Sequence, residues 1–395
     1  MDFSFNAEDE AFRQELRSWL EQNLSDEMRR PQLGFMFEES EEDWQRRLEW
    51  HRKMHAAGWV GIGWPKEYSG RAATLTQQLI YDHELARANA PMPVNAVALG
   101  LAGPTLMVWG TEEQKRRYLP RMLFADEIWC QGFSEPGSGS DLASLQTRAL
   151  EEGDYFIVNG QKVWTSDAHH ADMCILLLRT DPQAPKHKGL SFLMVDMHSA
   201  GIKVRPLVQI TGDRNFNEVF FEDVKVPKKN LLGEKNQGWQ VAITTLMFER
   251  SLLGSEHVAI DPAELLTLAK TVDRNGRRAW DDPDVRDKIA RLICDSEALK
   301  YTRLRDLTRR LRGLPPGPEG SIVKLGLSDL NLRISSFAME LLGPYSQLEY
   351  RARWARDQGK WSYRMLAARA LTIGGGTTEI QHNIIGERVL GLPKG

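Results

Sequence analysis

Apolar positions recurring at helical spacing fill the first third of the chain. Phe12, Leu16, Trp19 and Leu20 keep an i, i+4, i+7, i+8 stripe, and Trp44, Leu48, His51 and His55 continue the spacing to a stop at Gly58. Gly61-Ile62-Gly63-Trp64-Pro65 reads as a loop, and 74–88 as a further helix rich in Gln, Leu and Glu. Thr111 before Glu112 and Glu113 reads as the N-cap of a helix ending near Pro120. The period then falls toward two. Tyr155 to Val158, Asn159-Gly160 and Lys162 to Trp164 predict a hairpin closed by a two-residue turn. Apolar runs at 173–178, 190–195, 202–208 and 219–226, separated by Gly, Pro, Asp or Asn, predict more strands. Strands without helices between them point to an antiparallel sandwich or barrel. Helical spacing returns at 238–260, 261–274, 284–312, 319–342 and 347–371, with a Pro/Gly loop at 314–318 and breaks at Asn275-Gly276 and Gly374-Gly375-Gly376. The expected fold class is α+β multidomain. An N-terminal all-α domain (1–124) precedes a middle antiparallel β domain (125–234) and a C-terminal four-helix-bundle-like domain (235–395).

The helix at 238–260 carries a charged pair where helical spacing expects none. Trp239, Ala242, Ile243, Leu246 and Leu253 fall within one arc, Arg250 projects inside it, and Glu249 sits on its edge. Taken alone, this reads as two charges snorkelling from the border of a narrow stripe.

Composition narrows the field. The chain has 395 residues, a formal net charge of −3 and 42% hydrophobic residues, which suits a soluble multidomain protein with no basic excess for nucleic acid. Cys130, Cys174 and Cys294 share no metal or redox spacing and read as ordinary buried thiols in a reducing, cytoplasmic setting. The acidic amphipathic start with Glu8, Asp9 and Glu10 is neither a signal nor a transit peptide. The most apolar stretch, 94–109, is interrupted by Asn95, Gly100, Gly103 and Pro104 and is no membrane span.

Two motifs carry candidate chemistry. Gly132-Phe133-Ser134-Glu135-Pro136-Gly137-Ser138-Gly139-Ser140-Asp141 is rich in glycine and serine, which lets backbone and hydroxyls approach a phosphate or planar ring closely. It has neither the strand-turn-helix setting of a dinucleotide fingerprint nor the Gly-Lys-Ser/Thr of a P-loop. This stretch resembles the first signature of the acyl-CoA dehydrogenase family. Asn159-Gly160-Gln161-Lys162-Val163-Trp164-Thr165-Ser166 resembles the family hairpin whose Trp-x-Thr covers the flavin edge, and it follows at the family's spacing.

The resemblance implies FAD as cofactor. Gln131, Gly132, Phe133, Ser134, Gly139 and Ser140 would line it, with Ser134 near the flavin ring and Ser140 near the thioester. Trp164 would shield the ring, with Thr165 beside it and Ser166 reaching N5. Phe133 is bulkier than the family's usual aliphatic residue. Many members place the catalytic Glu before a Gly-Thr near the C-terminus. That position here is Gly375, in Gly374-Gly375-Gly376-Thr377-Thr378-Glu379. A minority branch, including isovaleryl- and long-chain enzymes, carries the base on the helix in a Glu-Arg pair, and Glu249-Arg250 matches it. A glycine at 375 leaves room for that carboxylate, so the two departures are complementary.

The family chemistry removes an α-proton from an acyl-CoA while the β-hydrogen leaves as hydride to flavin N5. A carboxylate base in a dry pocket suits the first step, and the Gly375 N–H would stabilise the enolate oxygen. Arg250 and Gly376 would lie toward the substrate. Arg274, Gly343, Thr377 and Glu379 match cofactor positions, although no Phe-Gly follows Arg274. The implied partners are an electron-transferring flavoprotein and further subunits, as a homotetramer or a hetero-oligomer with a paralogous chain. A flavin oxidase on the same fold and a non-catalytic partner subunit remain as alternatives, separated by oxygen turnover and by flavin reduction.

Overall fold

The computed structural model describes residues 5–29, 40–253, 258–274, 276–314 and 317–394. The chain forms two compact units, the larger closing at Glu249 and the other beginning at Arg250.

Helix α1 (Ala7–Asn23) in the first unit starts on Asn6, whose side chain accepts from the Asp9 N–H at 2.8 Å. Then come α2 (Glu41–Ala56), α3 (Leu75–Ala88), α4 (Gly103–Trp109) and α5 (Glu112–Phe124). Capping boxes open α3 (Thr74 with Gln77) and α5 (Thr111 with Gln114). Helix α5 does not stop near Pro120 but continues through it to Phe124. The proline forfeits one backbone bond, while Leu119, Met122 and Leu123, all fully buried, hold the last turn against the core. His51 on α2 is fully buried, its ring nitrogens facing the carbonyls of Leu123 (2.8 Å) and Val94 (3.1 Å). Glu84 on α3 has a fully buried side chain that accepts from Arg17 at 2.7 and 3.0 Å and from Arg87 at 2.8 Å. Burial pushes its carboxyl up, but the two guanidiniums outweigh that and the net shift is downward.

The middle of the chain is a seven-stranded sheet. Its strands are β1 (Trp129–Gly132), β2 (Arg148–Glu152), β3 (Tyr155–Ser166), β4 (Met173–Arg179), β5 (Leu190–Asp196), β6 (Ile202–Leu207) and β7 (Phe216–Pro227). The order is β1-β4-β2-β3-β7-β6, with β5 on β4. The sheet is not wholly antiparallel. Strand β1 runs parallel to β4, from Trp129 opposite Met173 to Gly132 opposite Leu176, because the β2–β3 hairpin intervenes and supplies the long crossover. The expected turn at Asn159-Gly160 is also displaced. Strand β3 runs straight through both residues, with a register shift between Val158 and Gly160, and the chain reverses instead at Gly153 (φ +54°) and Asp154. A side chain at 160 would strike Thr147 Cα at 2.6 Å, so this glycine serves a close strand approach.

Strand β4 is apolar without alternation because both its faces are covered. Met173, Ile175 and Leu177 join the core shared with α1–α5, while Cys174, Leu176 and Leu178 join that of β2, β3, β5 and β7.

Helix α6 (Gly238–Leu253) links the units, and residues 254–257 of the expected 238–260 helix lie outside the described residues. The second unit contains α7 (Glu264–Thr271), β8 (Asp273–Arg274), β9 (Arg277–Arg278), α8 (Pro283–Leu311), α9 (Gly320–Leu342), α10 (Lys360–Leu371) and α11 (Thr378–Ile384). Its core collects Leu265, Leu268, Ile289, Ile334, Phe337, Leu341 and Trp361. The helix expected over 347–371 begins only at Lys360. Left-handed backbone at Arg351, Asp357 and Gln358, and at Gly359, where a Cβ would meet Glu349 O at 2.5 Å, breaks the earlier part. Glu264 accepts from Lys360 and Arg364 at 2.9 Å each and pins α7 to α10. Cys294 is exposed, unlike Cys130 and Cys174. Among the described residues no helix is long and apolar enough to cross a membrane.

Candidate active site

Strand β1 delivers Gln131 and Gly132 to the sheet, and the chain then leaves it at Phe133. The Phe133 ring turns into the core, edge-on to Phe192 with centroids 5.7 Å apart. Only its backbone is therefore left for a ligand. A Cβ at Gly132 would meet Leu176 Cδ1 at 2.8 Å and Cys174 Sγ at 3.1 Å, so the glycine lets β1 sit close on β4. Ser134 is half-buried, and its carbonyl accepts from the Val163 N–H at 2.9 Å. Gly139 and Ser140 lie exposed in the loop that follows.

The next residues of β3 are the expected Trp-x-Thr cover, here Trp164-Thr165-Ser166. The register shifts between Lys162 and Thr165, and at this bulge Trp164 takes φ +60°. Bulges re-aim side chains, and this one leaves the indole 59% exposed, edge-on to Phe216 at 5.9 Å. An exposed tryptophan in a backbone state that is costly for non-glycine residues asks for a function. Beside it Thr165 Oγ1 and Asn217 Oδ1 are buried without a hydrogen-bond partner among the described residues. A planar aromatic cofactor with polar edges fits such a wall.

Lys162 sits one strand position before that bulge, fully buried. Its Nζ donates to Phe133 O at 2.9 Å and to Glu135 Oε1 at 2.8 Å. Burial pulls the ammonium down to about 8 against the opposing pull of Glu135. Burial pushes the Glu135 carboxyl up, and Lys162 with the Thr147 and Gln146 donors outweighs it, leaving it below the usual range. Each partner's charge thus favours the charged form of the other. Glu135 and Lys162 fall within the two motifs, but neither is singled out there by its own chemistry. The available signal was a lysine at an inward position of an alternating strand, with an acid in the neighbouring motif.

Helix α6 widens the expected stripe. Ala242 is buried, and Trp239 and Leu246 pack half-buried against the same core, but Val241 and Thr245, outside the expected arc, are buried as well, while Ile243 is half-buried. A threonine is the residue that the count leaves out. Thr245 Oγ1 donates to Val241 O at 3.0 Å and lies 3.0 Å from Thr105 Oγ1, and Trp109 Nε1 donates to Thr244 Oγ1 at 3.0 Å. A hydroxyl satisfied in this way packs like an apolar group. Glu249 follows Thr245 by four residues, so it continues the buried row and is itself half-buried. The side chain of Arg250, like that of Leu253, lies outside the described residues.

In the second unit, Gly375 (φ +65°) and Gly376 (φ +96°) form the turn before α11. Gln381 Nε2 donates to Gly375 O at 2.9 Å and Gly376 O at 3.1 Å, and the buried Lys324 donates to Gly376 O at 2.6 Å. Both carbonyls are held, which fixes the peptide planes of the turn. Thr377 is the N-cap of α11, accepting from the Ile380 N–H at 3.3 Å. Glu379 is exposed, its carboxyl lowered by backbone N–H and Thr377 hydrogen bonds. A solvated, acidified carboxylate is a poor base. Gly343 takes φ +56° at the end of α9, and Arg274 is exposed on β8, paired in register with Arg277. Asn275 lies outside the described residues.

Comparison with known proteins accounts for this ensemble. Residues 6–126, 130–224 and 236–390 match the N-terminal, middle and C-terminal domain models of acyl-CoA dehydrogenase. The chain is 39% identical over 386 residues to "Acyl-CoA dehydrogenase IpdE1" of Mycobacterium tuberculosis, covering 98% of each chain. Among solved structures it resembles a chain of the ChsE4-ChsE5 complex from Mycobacterium tuberculosis, with 33% identity, TM-score 0.82 and full coverage of both chains. It also resembles a chain of the Tcur3481-Tcur3483 steroid ACAD, with 31% identity, TM-score 0.86 and full coverage of both. Helices, sheet and helices follow one another in the family's order, and the chain belongs to the acyl-CoA dehydrogenases, flavoprotein oxidoreductases of lipid metabolism.

Proposed function

We propose that this chain binds FAD and dehydrogenates an acyl-CoA thioester to the trans-2-enoyl-CoA, with Glu249 taking the α-proton. The observation that carries the assignment is that the sequence has a carboxylate at 249, half-buried on α6, together with a glycine at 375, where many relatives carry the acid. When bound, FAD supplies the acceptor for the electron pair that leaves with the β-hydrogen. The residues that would hold it are Gln131, Gly132, Phe133 through its backbone, Ser134, Gly139 and Ser140, with Trp164, Thr165 and Ser166 on β3. Arg274, Gly343, Thr377 and Glu379 are weaker cofactor positions. Glu249 must be ionised to accept a proton. Gly375, through its N–H, is assigned to the thioester oxygen, where negative charge develops in the enolate. The held carbonyls at 375 and 376 fix the two peptide planes that follow that donor in the turn. Ser140, Arg250 and Gly376 are assigned to the substrate.

A large polycyclic acyl group is the favoured substrate class, because one of the close structural relatives is described as a steroid ACAD. Relatives solved as two-component complexes favour a hetro-oligomer with a paralogous chain. The exposed Tyr301, Leu311 and Leu314 on and after the second half of α8 offer apolar surface for such assembly. Electrons would pass to an electron-transferring flavoprotein.

The first test is cofactor binding. Protein purified alone, or with a co-expressed paralogous chain, is expected to be yellow with non-covalent FAD, or to take it up on reconstitution. Protein that stays colourless under all three conditions contradicts the assignment.

A further inference from the structure

The flanks of Ser134 are held by one buried cation. Lys162 Nζ bonds the carbonyl of the residue before it, Phe133 (2.9 Å), and the carboxylate of the residue after it, Glu135 (2.8 Å). The Ser134 carbonyl itself accepts from Val163 N–H at 2.9 Å, one residue after Lys162 and one before Trp164. The Glu135 carboxylate reaches further, accepting from the N–H groups of Gln146 (2.6 Å) and Thr147 (2.9 Å) where the chain enters β2. Glu135 also exchanges two backbone bonds with Ser138, which closes the turn of the glycine-rich loop. One ion pair thus ties the loop, β3 and the start of β2 at a single point.

We propose that Lys162 and Glu135 are positioning residues: their buried ion pair sets Ser134 against Trp164 and so shapes the wall that receives the flavin. The inference rests on the assignment of FAD to this wall. An apolar pair of similar volume can replace a buried ion pair with little loss of stability. It cannot bond a carbonyl and two N–H groups on separate segments, and that difference separates positioning from mere packing. Gly132 belongs to the same device, since a Cβ there would contact the Lys162 stem at Cγ, 3.4 Å away. Neither Lys162 nor Glu135 is exposed enough to touch a ligand through its charged group.

The test compares Lys162→Met, Glu135→Gln and a control, Val195→Ala, a buried β5 residue with no bond to the loop. Three quantities are read for each: the thermal midpoint, the FAD dissociation constant, and the visible circular dichroism of bound flavin, which reports its orientation. Loss of a charge-assisted bond corresponds to about a tenfold effect or more. Lys162→Met and Glu135→Gln are therefore expected to weaken FAD binding on the order of tenfold and to change the flavin dichroism. Val195→Ala should lower the thermal midpoint yet keep wild-type affinity and dichroism. If Lys162→Met fails to fold, Glu135→Gln decides alone, because it keeps the shape of the side chain and its one amide oxygen can still accept from one of the two N–H groups. Wild-type affinity and dichroism in the folded variants overturn the proposal, whatever happens to the midpoint. A wild-type protein that folds but binds no FAD overturns the flavin assignment as well, and is recognised because every variant then shares it.

Discussion

Glu249→Gln is expected to slow reduction of bound flavin by an acyl-CoA about 10²–10⁴-fold, the usual contribution of a general base. The amide keeps the shape and hydrogen-bonding capacity of the carboxylate but cannot take a proton at neutral pH, so FAD and acyl-CoA should still bind. Glu249 is half-buried and follows the buried Thr245 by one helical turn. The double variant Glu249→Gln with Gly375→Glu should recover part of the rate by restoring a carboxylate at the position many relatives use. Recovery stays partial because residue 375 sits at φ +65°, a conformation costing a non-glycine residue about 1–2 kcal/mol. Gly375→Glu alone should be poor, since two carboxylates would compete for one proton. Stopped-flow absorbance of the flavin band measures all four proteins. An undiminished rate in Glu249→Gln would move the base elsewhere.

The second large effect is on stability. Trp129 opens β1, is 1% exposed and meets Tyr118 of α5 edge-on, with centroids 5.4 Å apart. It belongs to the core in which α1–α5 and one face of β4 and β5 pack together. Trp129→Ala is expected to cost about 3–5 kcal/mol through lost burial and the cavity left behind. Its Nε1 is buried and makes no hydrogen bond among the described residues, so Trp129→Phe loses no polar contact and should retain most of the stability. Because the core is shared, the α1–α5 helices and the sheet should lose structure in one transition of the Trp129→Ala protein. Denaturant unfolding followed by far-ultraviolet dichroism checks this. A cost within about 1 kcal/mol would show that the site collapses around the gap.

The order of helices, sheet and helices was legible in the sequence because it depends on hydrophobic period, which burial enforces directly. The strands at 173–178 and 190–195 stood out because their apolar runs are long. Local rules failed where tertiary contacts override them. Asn159-Gly160 is a strong turn signal, yet the glycine is needed inside β3, where Thr147 leaves no room for a side chain. Pro120 is a stop signal that three buried neighbours overrule. The residues at 348–359 are rich in helix formers but take left-handed backbone that no composition announces. In the candidate site the motif positions could be named because they are consecutive. The ion pair joining Glu135 to Lys162 spans 27 residues and could not be read from spacing. The buried row of α6 was drawn too narrow because Thr245, polar by type, is satisfied within the helix and by Thr105.

The central claim is that this chain, carrying FAD, takes hydrogen from the α and β carbons of a CoA thioester. Anaerobic mixing of the purified flavoprotein with saturated acyl-CoAs, from short linear to polycyclic, tests it most directly. The account expects at least one of them to bleach the visible flavin band, with the matching trans-2-enoyl-CoA formed in equal amount. A flavin that stays oxidised with every thioester, yet is reduced by dithionite, would contradict it.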